Sequence, residues 1–68
     1  NQMVYVSELM IAHPETTSFK QLEEHVAQAA RDGEIHLYMD IKPEYPDTPP
    51  KWETRLEIVF YQAERKRE

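Results

Sequence analysis

Four of the eight residues from Pro43 to Pro50 are proline. Proline fixes its own φ and offers no backbone N–H, so neither a helix interior nor a central strand runs through such a stretch. Pro43-Glu44-Tyr45-Pro46-Asp47-Thr48-Pro49-Pro50 therefore reads as a stiff loop, longer than a two-residue hairpin turn. Hydrophobic residues alternate on both sides of it. From Glu34 to Lys42, Ile35, Leu37, Met39 and Ile41 fall on one face, and His36, Tyr38, Asp40 and Lys42 on the other. From Lys51 to Gln62, Trp52, Leu56, Ile58 and Phe60 oppose Glu53, Arg55 and Glu57. The pattern predicts two long antiparallel strands joined by a rigid tip.

Upstream, Met3 to Ala12 is rich in β-branched and aromatic residues and reads as a first strand, although its alternation is poor. Tyr5, Leu9 and Ile11 would lie on one side and Val4, Val6 and Met10 on the other, a strand buried on both faces. His13 to Thr17 is a connection, opened by Pro14. Ser18-Phe19-Lys20-Gln21 fits a capping box, with the Ser18 hydroxyl accepting from the Gln21 N–H and the Gln21 side chain returning to the Ser18 N–H. The helix it starts runs to about Asp32. Gly33 supplies the left-handed residue beyond it. Phe19, Leu22, Val26, Ala29 and Ala30 form its apolar face, opposite Lys20, Glu23, Glu24, Gln28 and Arg31.

The predicted fold class is α+β: a β-α-β-β domain over residues 1–63, one amphipathic helix on a three-stranded antiparallel sheet, then a charged tail over 64–68. A chain of 68 residues buries only about 60% of its unfolded surface and needs reinforcement. Cysteine is absent, which removes disulfides and thiolate metal sites and suits a reducing cytoplasm. Partner subunits remain. Tyr38, Val59 and Tyr61 would sit on the sheet face that the helix leaves bare, so a homo-oligomer is expected.

The formal charge is −5, and residues 1–63 alone carry −6, five bases against eleven acids. Such a body repels phosphate backbones, so nucleic acid is not an expected partner. No apolar run approaches the roughly 18 residues that span a bilayer, and no signal-peptide pattern opens the chain. The first residue, Asn1, leaves the native start open.

No catalytic constellation stands out. Ser18 is accounted for as a cap, and Asp40, Glu53 and Glu57 near Arg55 read as the solvated face of a hairpin. A single glycine rules out a glycine-rich phosphate loop. The three histidines, His13, His25 and His36, show no chelating spacing and would meet only through the fold. Glu23, Glu24 and His25 are contiguous and point in different directions around their helix. The chain is read as a non-enzyme with no catalytic residue, no metal and no cofactor. Trp52, beside Pro49 and Pro50, and Tyr45 have two readings. They close the hairpin end, or they form an aromatic platform for a planar ligand or a partner's peptide. The candidate ligand- or partner-binding residues are accordingly Tyr38, Tyr45, Trp52, Val59 and Tyr61.

The order strand, capped helix, long hairpin, with Trp52-Glu53-Thr54-Arg55-Leu56-Glu57-Ile58-Val59-Phe60 as the last strand, resembles the dodecins. These are small flavin-binding proteins that assemble as hollow dodecamers, so the resemblance implies an oligomeric βαββ shell. The family's flavin-stacking tryptophan would fall near Ile35 or His36 and its flavin-contacting glutamine near Glu53; neither is retained, which argues against flavin. The leading expectation is a non-catalytic homo-oligomeric binding or assembly module that uses its exposed sheet face or aromatic–proline loop. One alternative is an accessory regulator of phage or plasmid type that binds a host protein, its acidic surface mimicking nucleic acid. A further alternative, a winged-helix DNA binder, takes the helix ending Asp32-Gly33-Glu34-Ile35 and the following hairpin as recognition helix and wing. It lacks a preceding helix and carries few bases.

Overall fold

The computed structural model describes residues 2–65. In chain order they form β1 (Met3–Tyr5), α1 (Val6–Ala12), α2 (Phe19–Arg31), β2 (His36–Tyr38) and α3 (Trp52–Arg65). The expected β-α-β-β arrangement on a three-stranded antiparallel sheet is not what the chain adopts. Among the described residues there are three helices and a two-stranded parallel sheet.

The central helix is the one the capping signal predicts. Ser18 Oγ accepts from the Gln21 N–H at 3.1 Å, and Phe19, Leu22, Val26, Ala29 and Ala30 are buried. The Gln21 side chain departs from expectation: its Oε1 accepts from the Thr17 N–H at 2.8 Å rather than from Ser18. Gly33 has φ +112°, and the N–H groups of Gly33 and Glu34 close the helix end on the carbonyls of Ala30 and Ala29.

Residues 51–62, expected as a strand, belong to α3. Two periods fit this segment, and the helical one fits further. Trp52, Leu56, Phe60 and Ala63 are buried at helical spacing. On the strand reading Thr54 interrupts the apolar face, and Ile58, which that reading buries, is 47% exposed. Glu, Arg, Leu, Gln and Ala, strong helix formers, make up eight of the fourteen residues of α3. The long hairpin is therefore absent.

Residues 3–12 are divided in the same way. Only Met3–Tyr5 is extended; from Val6 the chain turns helical and buries Val6 and Leu9, one helical turn apart. The poor alternation of this stretch was a helix showing through. With α1 and α2 as the connection, the chain returns to lay β2 parallel to β1, as a long crossover permits. The register is Met3 to His36, Val4 to Leu37 and Tyr5 to Tyr38. Gln2 C=O accepts from both Ile35 N–H (2.8 Å) and His36 N–H (2.9 Å). Deprived of the expected neighbour over 51–62, β2 shrinks to three residues.

The core gathers Val4, Val6 and Leu9 from the first segment, the apolar face of α2, and Trp52, Leu56, Phe60 and Ala63 of α3. Each large side chain buried there contributes about 1.5–3 kcal/mol. The α2–α3 contact is the largest between elements, and Arg55 Nε donates to Glu23 Oε2 across it at 2.7 Å.

The proline loop serves as a clamp. Pro43 is fully buried. Thr48 N–H donates to Tyr45 C=O (3.1 Å), and Tyr45 N–H donates to Thr48 Oγ1 (3.0 Å), forming a turn with Pro46 in the position its fixed φ favours. That turn presents Asp47, whose carboxylate accepts from Phe19 N–H at 2.6 Å and Lys20 N–H at 3.2 Å. Together Ser18 and Asp47 satisfy the first three amides of α2. Asp40 stands at the start of α1, accepting from the Ser7 N–H at 3.1 Å and from the Ser7 hydroxyl.

Glu64 and Arg65, placed by the sequence in a charged tail, continue α3, while 66–68 of that tail and residue 1 lie outside the described residues. Among the described residues no helix is long and apolar enough to cross a membrane.

Candidate functional site

Neighbouring residues of a strand point to opposite faces. Val4 on β1 and Leu37 on β2 therefore turn inward, where they are buried and half-buried. Met3, Tyr5, His36 and Tyr38 share the outer face and are all exposed. Tyr5 and Tyr38, directly opposite in the register, stack with ring centroids 5.2 Å apart and planes 26° apart. Ile35 and Ile41, 38% and 47% exposed, flank β2. The outer face thus carries an aromatic pair, with Met3 and one imidazole beside it.

The five residues singled out from sequence do not converge. Tyr38 stands on this outer face. Tyr61 is 54% exposed on α3, beside Ile58. Trp52 is buried in the core, and Tyr45 and Val59 are half-buried against it. Val59 and Tyr61 share a side on a strand but lie about 200° apart around a helix. The carboxylates grouped with Arg55 are also dispersed: Arg55 binds Glu23, and Asp40 binds Ser7.

Two histidines do meet. His13 follows α1 and His25 lies midway along α2, and the packing of α1 on α2 brings them into contact. Their rings stack at 3.7 Å between centroids, with planes 7° apart. Glu15 completes the group, its Oε2 lying 3.4 Å from His13 Nδ1. One ligating atom from each of His13, Glu15 and His25 lies within 4.8 Å of the others. The two imidazoles line a cleft of about 230 Å³ whose floor includes Val4 and Leu9 and whose wall includes Glu34. Neither histidine was paired by sequence reasoning, because their spacing of twelve residues matches no local chelating motif.

Three carboxyl groups are held below their ordinary range. Asp40 is lowered first by the Ser7 hydroxyl and then by the Ser7 N–H. Asp47 is lowered first by the Phe19 N–H and then by the Lys20 N–H. Glu15 is lowered first by its own backbone N–H and then by the His13 imidazole.

Comparison of the chain with protein-family models, with curated proteins and with solved structures finds no match.

Proposed function

We propose that this chain is a non-catalytic self-assembly module whose outer sheet face, Met3, Tyr5, His36 and Tyr38, docks on the same face of a second copy. One observation carries the reading: a parallel sheet of two strands with aromatic residues open on one side. Parallel sheets are ordinarily covered on both faces, and a two-stranded sheet is marginal without further packing. Here α1 and α2 lie in the connection between the strands, and the inward residues Val4 and Leu37 pack against the core. Among the described residues nothing covers the outer side, where Met3, Tyr5, His36 and Tyr38 are exposed. A second copy offers the same aromatic pair, so a two-fold contact is self-complementary. The size of the chain favours this occupant, since a single core of 68 residues gains most from partner surface. The reading rests on this face, not on the resemblance in layout, whose hairpin the structure replaces with α3.

Light scattering on the eluting protein tests it. The wild type is expected at twice the 8.1 kDa chain mass, and Tyr38→Glu at the single chain mass with an unchanged helical signal. Tyr61→Glu, on α3, leaves the mass at the wild-type value. A monomeric wild type, or dissociation by Tyr61→Glu instead of Tyr38→Glu, contradicts the reading; the first result transfers the face to a different protein partner.

A further inference from the structure

The cleft between α1 and α2 has features that packing does not account for. It is lined by two half-buried imidazoles in contact and by the carboxylates of Asp32 and Glu34, and the exposed Glu15 carboxylate stands 3.4 Å from His13 Nδ1. Of the two lining carboxylates, Glu34 is set apart by its burial. Its Oε1 is withdrawn from solvent and accepts no hydrogen bond among the described residues. A carboxylate oxygen without water or a donor is costly, and a cation in the cleft relieves that cost.

We infer that His13, Glu15 and His25 bind a divalent transition-metal ion, with Glu34 as an outer carboxylate. The donor set selects the class of ion. Two imidazoles and a carboxylate suit zinc and its first-row neighbours, whereas calcium and magnesium favour all-oxygen sites. Ligand atoms around one such ion stand about 3–3.5 Å apart, given bonds of about 2.0–2.2 Å. The three groups, already within 4.8 Å of one another, need to close by only about 1–2 Å.

The elements restrict that closure to side chains. His25 is fixed on α2; His13 N–H is bonded to Leu9 C=O at 3.0 Å, and Thr16 N–H to His13 C=O at 3.0 Å, which brings the chain back around Glu15. Stacked rings have parallel planes, so both in-plane lone pairs cannot aim at one point. Binding therefore turns at least one ring and breaks the stack. Neither ring is fully buried, so it has room to turn. Three protein ligands leave a coordination position for water or an added ligand. The cleft lies under the inward residue Val4 and thus on the opposite side of β1 from Met3 and Tyr5, so the site stands or falls independently of the docking face.

Titration of the full-length chain with zinc chloride alone, followed by calorimetry, tests the site. The expected result is one zinc per chain with Kd tighter than about 100 µM. His13→Gln and His25→Gln each weaken binding at least roughly tenfold, and Glu53→Gln, exposed on α3, leaves it unchanged. Absence of saturable binding at that level, one zinc per two chains, or an equal loss in Glu53→Gln overturns the proposal. Should a variant lose its helical signal, the wild type still decides. Zinc shifts the ring resonances of His13 and His25 and not those of His36; shifts at His36, or at neither of the other two, contradict it.

Discussion

Asp40 and Asp47 carry much of the tertiary specification of this small chain. Each is a lone side chain that reaches across more than twenty-five residues to the first turn of a helix, where amides lack intrahelical partners. Because both carboxyls are lowered by these bonds, their contribution is fully present above the unfolded carboxylate value of about 4 and is lost as the pH falls through the folded values. Stability measured by urea unfolding should therefore fall on acidification below about pH 4. The double variant Asp40→Asn, Asp47→Asn should show a shallower fall over the same range, and equal slopes would exclude the caps as its cause. Gly33→Ala tests a second residue: with φ at +112° and no neighbouring atom in the way, the cost is backbone strain alone, about 1 kcal/mol. Residues of these two kinds differed in how far sequence could reveal them. Ser18 and Gly33 were legible because their partners are three or four positions away. Asp40, Asp47, His13 and His25 were not, because their partners are assigned only by the completed fold.

The same contrast holds for elements. The amphipathic face of α2 and its two caps appear in the sequence and in the structure at the same positions. For α3 the sequence carries two periods at once; Ala63 extends the helical stripe and Thr54 breaks the alternating one. Local propensity favoured the helix. In 3–12 the failure of alternation was visible, and its meaning was a strand that becomes a helix at Val6. β2 shows the reverse case, an alternating segment that stays short because a strand needs a neighbour and, among the described residues, only the three-residue β1 pairs with it. The proline loop does not close a hairpin; it holds Asp47 over the start of α2. If α3 is the helix described, Leu56→Ala, at a fully buried position facing α2, should cost about 2–5 kcal/mol by urea unfolding. Gln62→Gly, exposed in the same helix, should cost about 1 kcal/mol relative to Gln62→Ala. An equal effect of glycine and alanine at 62 would contradict the helix there.

At the scale of the whole molecule, one core is shared by three helices, while the small aromatic sheet is covered on one side only among the described residues. Tyr38, expected on an outer face, is exposed on the open side of β2. Which sheet carries that face was not legible, because it depends on the crossover that makes β1 and β2 neighbours. Association of two chains of formal charge −5 is opposed by their mutual repulsion. The dimer should therefore tighten as salt is raised from about 0.01 to 0.15 M, over which the screening length falls from about 30 to 8 Å. Sedimentation across that range checks the sign, and weakening with salt would indicate an interface built on ion pairs. The most direct measurement is an isotope-filtered NOE experiment on a mixture of labelled and unlabelled chains. Intermolecular contacts are expected from the rings of Tyr5 and Tyr38 and the methyl of Met3. Intermolecular contacts confined to Ile58 and Tyr61 of α3, or none at all, would contradict docking through this face.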